Sequence, residues 1–417
     1  MMPRALKPYE ARFTRASDGL AIAVAASLPW STSATGILVG LWLIAFLPTL
    51  DVTALRRDLA IPAAAVCLLM VALAALGMLW SEASWARAFS GFAAFSKLLV
   101  IPLLLIHFRQ SERGLWVFGA FLAACVVLLA VSFLIYFWPR PFGWRLNTHG
   151  IPVKDRIVQS GEFVLCAFGA AYLAYDCYRA GRRLRALALV ALAGAFLVNV
   201  LFVAASRTSL VVIPLLLMLL GLRWFGWKGA AALAAGGAVL GAVIWLSSPH
   251  LQQRVTGVAQ EITAYQTDKA KTSSGQRLDY WTKAAGFIKD APVIGHGTGT
   301  IRQLFERATA DAPEFMTANP HNQTLTVGIQ LGIIGMLALW AFWLTHFLLF
   351  AGQRGLAAWI GLMVVVQNVV SSLFNSHLFD FTQGWIYIFG VGVAGGMILR
   401  GQQKAGMTAA DKAVHSA

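Results

Sequence analysis

His321 stands in Asn319-Pro320-His321-Asn322, directly ahead of an apolar run that begins near Gln323. The proline restricts the backbone beside it. An imidazole with an ordinary pKa of about 6.5 can take or give a proton near neutral pH. A histidine in such a turn can equally be structural, and His149, His250 and His296 are rivals on the same side of the chain's apolar runs. His107, His346 and His377 lie within or beside those runs and are expected to be packed or interfacial.

Three arginines form the second group: Arg207 in Ser206-Arg207-Thr208, Arg277 after Ser274-Gly275-Gln276, and Arg156 just ahead of an apolar run. A guanidinium offers a planar fork of donors that suits the oxygens of a phosphate or diphosphate. Each also has a plainer reading. Arg207 can snorkel to an interface, Arg277 can be a solvated residue opening a helix, and Arg156 can pair with Asp155 or Glu162. Arg140 and Arg145 sit beside Trp138 and Trp144 and read as an interfacial anchor.

Other chemistries find no support. Cys67, Cys125, Cys166 and Cys177 all fall in or beside apolar runs without a CxxC pair, which removes a disulfide framework and a structural zinc. No HExxH occurs, and acidic pairs suited to a divalent metal are absent from the outer segments, so chemistry without a bound metal or cofactor is expected. Neutralising a leaving diphosphate then falls to arginine. Gly295-His296-Gly297-Thr298-Gly299-Thr300 lacks the Lys-Ser/Thr ending of a nucleotide-binding loop; tight turns explain its glycines, though free backbone N–H groups there could touch a phosphate.

The elements that must hold these residues are membrane helices. Hydrophobic residues make up 58% of the 417 and charged residues 12%, with a mean hydropathy of +0.68; soluble domains carry about 25% charged residues. Runs of about 20 apolar residues can cross the hydrocarbon core. Twelve candidates occur at about 19–32, 34–49, 60–79, 89–107, 115–137, 157–178, 186–204, 207–222, 229–247, 323–350, 356–374 and 380–399. The first two could also be one long helix kinked at Pro29, and the early apolar segment is not read as a cleaved signal because comparable segments follow it.

With a cytoplasmic N-terminus, the inner segments collect Arg4, Lys7, Arg12, Arg15, Arg56, Arg57, Arg109, Arg113, Arg179, Arg182, Arg183, Arg185, Arg223, Lys228, Arg354, Arg400, Lys404 and Lys412. That is the positive-inside pattern, and it places both termini in the cytoplasm. It also accounts for the pI of about 10.1 without nucleic acid, because these cations are spread over short loops. Outward cations are the exception: Arg140, Arg145, Lys154 and Arg156 after the fifth run, Arg207 between the seventh and eighth, and a group in the long polar segment, much of it offset by acids. Positive charge kept outside against that rule suggests an anionic ligand.

The predicted organisation is an all-α polytopic membrane protein of about twelve spans. Residues 1–248 supply spans one to nine, 249–322 form a large outer loop, 323–400 supply the last three spans, and 401–417 form an inner tail. In the loop, 251–265 place Leu251, Val255, Val258 and Ile262 on one face, and 277–289 place Leu278, Trp281, Ala285 and Ile288 on one face. Both read as amphipathic helices on the membrane, joined by the polar stretch Thr267–Gln276 and followed by a short helix over Ile301–Arg307.

Taken together, the long outer loop between late spans, Ser206-Arg207-Thr208, Arg277 followed by Trp281, Pro292 with the alternating glycines, and His321-Asn322 before Gly332 and Gly335 resemble the O-antigen ligase family. Its superfamily also holds O-antigen polymerases and protein O-oligosaccharyltransferases. The resemblance implies a multi-pass protein of the bacterial inner membrane with a periplasmic active site, working in lipopolysaccharide biosynthesis. It would be an inverting glycosyltransferase with undecaprenyl-diphosphate-linked glycan as donor and a lipid A–core sugar hydroxyl as acceptor. It further implies His321 as general base, Arg207 and Arg277 as diphosphate-binding and leaving-group-stabilising residues, and Arg156 as a further contact. A polymerase would use a second lipid-linked glycan as acceptor; a protein O-oligosaccharyltransferase often carries a further C-terminal domain, where this chain has Gly401–Ala417. A transporter would place more ionisable residues mid-membrane and show repeated halves; mainly Lys97 and Glu162 lie near span interiors, and Lys97 can snorkel.

Overall fold

The computed structural model describes residues 8–138, 150–247, 249–268 and 271–415. Arg4, Lys7, Arg140, Trp144, Arg145, His149 and Lys269 therefore lie outside the described residues, as do the side chains of His250, Leu251, Arg254, Val255 and Lys412.

Among the described residues the chain is helical, without strands. The first part holds α1 (Pro8–Ser27), α2 (Thr32–Phe46), α3 (Val52–Leu59), α4 (Pro62–Gly77), α5 (Trp85–Ser96), α6 (Val100–Gln110) and α7 (Gly114–Phe137). It continues with α8 (Arg156–Arg179), α9 (Arg183–Val198), α10 (Arg207–Ser247), α11 (Pro249–Asp268), α12 (Ser273–Asp290) and α13 (Ile301–Ala308). The last three are α14 (Gln323–Ala351), α15 (Leu356–Ser371) and α16 (Phe381–His415).

All twelve apolar runs coincide with helix. Eight described segments are long and apolar enough to cross a membrane, while α4 and α15 are shorter apolar helices and α1 carries Arg12, Arg15 and Asp18. The turn at Pro29 separates α1 from α2, which pack together with Ser27 Oγ 2.9 Å from Thr35 Oγ1; a single kinked helix is not formed. Runs eight and nine both lie in α10. Gly226, at φ 66° and ψ −161°, is not helical, and a Cβ on Gly221 would stand 2.7 Å from Ala230 Cα. The two halves therefore fold back on one another.

The core centres on α16, which is almost wholly enclosed along its apolar length. Its Gly392 and Gly396 let α6 approach closely, since a Cβ there would meet Leu104 Cβ at 2.5 Å and Phe108 Cβ at 2.7 Å; small residues serve helix contact in this way inside membranes. At the end of the bundle away from His321, Asp18 accepts from Ser111 at 2.6 Å and lies 3.0 Å from His107, while Arg400 and Lys404 reach Glu112.

The loop region folds onto this frame. The helices predicted over 251–265, 277–289 and 301–307 are present as α11, α12 and α13, and Thr272 caps α12 by accepting from Gly275 N–H at 3.1 Å. Ordered helix therefore takes up much of the polar stretch Thr267–Gln276. The buried face of α12 overlaps the expected one without matching it: Trp281 and Ile288 pack against the apolar cluster as partly buried residues. Tyr280 and Ala284 are buried against Ile301, Phe305 and Ile329, whereas Ala285 is exposed. The physical reason is that α13 and the start of α14 supply the apolar partner expected from lipid.

Candidate active site

The local fold around His321 begins with a broken helix. Gly332 in α14 adopts φ 59° and ψ −155°, a region open essentially to glycine alone. The break frees backbone groups, and the chain after α12 fills them. His296 N–H donates to Ile329 O at 2.9 Å and Gly297 N–H to Gln330 O at 2.9 Å, while Ile333 N–H donates to Pro292 O at 2.8 Å. Buried backbone groups must be paired, so the loop and α14 become one unit.

The alternating glycines serve this packing. A Cβ on Gly297 would lie 2.4 Å from Ser81 Cα, and one on Gly299 would lie 2.4 Å from Arg87 O. Thr298 N–H donates to Gly77 O and Gly299 N–H to Gln330 Oε1, at 3.0 and 2.8 Å. Gly295 N–H is bonded to Ala291 O at 3.2 Å. All five N–H groups from Gly295 to Gly299 are thus engaged within the protein and form no nest for a phosphate. His296 points inward, with Nε2 2.8 Å from Phe287 O.

His321 sits immediately before α14, whose first turn Asn322 caps by accepting from Leu325 N–H at 3.1 Å. Its φ of 55° is the one positive value among the described non-glycine residues. Asn319 Oδ1 holds this conformation by accepting from His321 N–H at 2.9 Å and from Ser376 Oγ at 2.7 Å. The imidazole Nδ1 is 2.8 Å from Asn375 Oδ1, and the ring stacks near Tyr280, with centroids 6.0 Å apart. Burial pushes the His321 pKa below its ordinary value, opposed by the hydrogen bond to Asn375 and reinforced by the charge of Arg277.

The arginines converge from two helices. Arg207 opens α10 and Arg277 lies one turn into α12, on the same face as Tyr280. The Arg207 guanidinium holds both oxygens of Glu261, at 3.1 and 2.8 Å, and donates to Ser274 Oγ at 2.9 Å. That arrangement holds the Glu261 carboxyl down to a pKa of about 2. Arg277 is half-buried, and its pKa is lowered by burial and then by Arg207, with Glu261 opposing both. Among the described residues it has no ion-pair or hydrogen-bond partner. Arg207 and His321 thus both lie within electrostatic reach of Arg277.

Arg156 is placed otherwise than a structural ion pair requires. It is exposed at the first position of α8, and Asp155 beside it caps that helix by accepting from Ile157 N–H at 2.7 Å. Glu162 is buried and pairs with Lys154, at 3.8 Å, which also donates to Thr382 Oγ1 at 2.8 Å. Lys97 does not snorkel; its ammonium donates to the carbonyls of Phe379 and Asp380, at 2.9 and 3.0 Å. His107 and His346 are packed, the latter 2.8 Å from Tyr387 Oη.

Sequence reasoning missed Glu261, Ser274, Tyr280, Asn319, Asn375 and Asp380. A signal existed for two of them. Asn375-Ser376-His377 and Asp380 form a polar cluster in a short connection between apolar runs. Among the described residues, no group of three His, Cys, Asp or Glu side chains stands close enough to hold a metal ion.

Fold and site together define a polytopic helical membrane protein with a basic, histidine-containing site where a helical loop meets the bundle. Residues 192–340, which include Arg207, Arg277 and His321, match the family model described as O-antigen ligase, Wzy_C. An uncharacterized protein of Haemophilus influenzae is 25% identical over 150 residues, covering 34% of this chain and 37% of that relative's length.

Proposed function

We propose that this protein is an inverting, metal-independent glycosyltransferase of the bacterial inner membrane. It would move O-antigen glycan from undecaprenyl diphosphate to a sugar hydroxyl of lipid A–core at a periplasmic site, with both termini cytoplasmic and about twelve spans. The observation that carries this reading is Arg277: a half-buried cation with no ion-pair or hydrogen-bond partner among the described residues, within electrostatic reach of Arg207, Glu261 and His321. A half-buried cation without a direct partner is unfavourable, and a diphosphate at the membrane surface would complete the set.

In this reading His321 takes the proton of the acceptor hydroxyl as its oxygen attacks the anomeric carbon. The bond from that carbon to the diphosphate oxygen breaks on the opposite face, which inverts the centre. The new negative charge falls on the diphosphate, where Arg207 and Arg277 stabilise it and Arg156 adds an exposed cation near the start of α8. The lipid diphosphate is itself the activated leaving group, so no nucleotide or cofactor enters. Membrane lipid surrounds the donor tail, and nucleic acid has no part.

Purified protein incubated with undecaprenyl-diphosphate-linked glycan and lipid A–core, with EDTA and without ATP, tests this. The expected result is glycan on lipid A–core, lost in His321→Ala at unchanged protein level. Lengthening of glycan on the lipid carrier would make the protein a polymerase, and no glycan transfer would overturn the reading.

A further inference from the structure

We propose that Asn375 is a positioning residue that fixes the tautomer of His321, placing the hydrogen on Nδ1 and leaving Nε2 as the basic atom. This rests on the reading of His321 as the general base and names the group that prepares it.

The orientation of the Asn375 amide is determined from two sides. Its Nδ2 lies 2.7 Å from Asp380 Oδ2, and an ionised carboxylate only accepts, so the amide nitrogen must face Asp380. Its Oδ1 lies 3.2 Å from Asn319 Nδ2. Asn319 is oriented in turn, because its Oδ1 accepts from His321 N–H, a group that can only donate. Both constraints turn Asn375 Oδ1 toward the imidazole, 2.8 Å from Nδ1. An oxygen there demands a hydrogen on Nδ1, and in a neutral imidazole the lone pair then resides on Nε2.

The connection that carries these groups is itself anchored. Lys97 donates to the carbonyls of Phe379 and Asp380 from α5–α6, and Ser376 Oγ lies 2.6 Å from Thr326 Oγ1 in α14. The left-handed φ of His321 is an unfavourable conformation for a side-chain-bearing residue, held here by the Asn319 acceptor. The same connection therefore sets the backbone, ring plane and tautomer of one residue. When His321 gains a proton on Nε2, Nδ1 keeps its hydrogen and Asn375 Oδ1 continues to accept it, so proton uptake needs no rearrangement.

The test uses the full chain in detergent or nanodiscs with 15N-labelled histidine, the His321 resonances being assigned by their loss in His321→Gln. The wild type is expected to show an Nδ1–H, Nε2-unprotonated ring above its pKa, and Asn375→Leu to populate the other tautomer. In the transfer assay, Asn375→Leu should lower kcat by about 10²-fold, the scale of general-base catalysis, with donor KM within about twofold. Asn375→Asp should move the acidic limb of kcat/KM to higher pH, because a carboxylate at Nδ1–H favours the imidazolium. Other charged or titratable groups around His321 are Arg277 and Tyr280 of α12, and His377 and Asp380 of the 372–380 connection, with Asp155 and Lys97 behind them. All are unchanged in these variants.

An Nε2–H ring in the wild type, or Asn375→Leu with unaltered tautomer and kcat, overturns the proposal. A wild-type Nδ1–H ring combined with full transfer by His321→Gln would instead leave the positioning intact and remove His321 from catalysis.

Discussion

Arg207 and Glu261 meet fork to fork, both guanidinium NH2 nitrogens on both carboxylate oxygens, at 3.1 and 2.8 Å. The pair joins the first turn of α10 to α11, and Glu261 also accepts from Ser274 N–H and Oγ, at 3.0 and 2.6 Å. A diphosphate that engages Arg207 must share or displace this carboxylate. Partly exposed pairs of this kind contribute up to about 1 kcal/mol, so Glu261→Gln is expected to lower donor KM by up to about fivefold in the transfer assay. A raised KM would mean that Glu261 aims Arg207 and does not compete for it. The folded-state pKa of about 2 lies below the ordinary glutamate value. The pair's contribution to stability is therefore fully present above that ordinary value, and it is lost only as pH falls toward 2.

The pH dependence of transfer should report His321. Its pKa is lowered mainly by burial, with Arg277 adding to the effect. A base works in its unprotonated form, so activity should persist below the pH expected of an ordinary histidine and be lost as pH falls through the lowered pKa. Arg277→Gln removes one cause of the lowering, and its acidic limb should move to higher pH alongside weaker donor use. A kcat/KM profile of both proteins checks this; an unmoved limb would show that Arg277 does not act on His321.

Gly332 ties the loop to the helix that His321 precedes. A Cβ there would stand 2.4 Å from both the carbonyl carbon and oxygen of Val293, and the backbone conformation itself is strained for alanine by about 1–3 kcal/mol. Gly332→Ala should lower both Tm and transfer, because Pro292 and Val293 could no longer seat in the break. Gly236→Ala is the control, since nothing lies within 4 Å of its Cβ position; it should leave Tm unchanged or raised. Equal behaviour of the two variants would refute the role of the break.

The helical frame was legible because apolar periodicity and length are local properties. Each of the twelve runs found a helix, and Arg207, Arg277 and His321 were visible as polar residues in informative places. Their partners were not. Glu261 is one carboxylate on a polar helix, and only the close approach of α11 to α12 aims it at Arg207. Asn375 and His321 are far apart in sequence and meet because α15 and α16 return the chain beside α14. The buried side of α12 was legible only in part, Trp281 and Ile288 but not Tyr280 and Ala284, for the same reason: periodicity identifies an apolar stripe, but the neighbour that covers it decides which residues are enclosed.

Lys154 and Glu162 illustrate that limit and allow a last test. The sequence left Arg156 as a possible partner of Asp155 or Glu162, yet the chain before the helix brings Lys154 to within 3.8 Å of Glu162. The carboxylate is 1% exposed and the ammonium 12%. Removing one member of a buried pair costs about 3–5 kcal/mol because the other charge is left uncompensated. Lys154→Met should therefore lower thermal stability sharply, and adding Glu162→Gln should recover most of the loss, since no charge then remains buried. Arg156→Ala, at an exposed position, should change stability by no more than about 0.5 kcal/mol, so that any effect it has appears in donor use. Thermal unfolding of the wild type and the three variants in detergent decides the matter: a destabilisation by Arg156→Ala equal to that of Lys154→Met would make Arg156 the partner of Glu162.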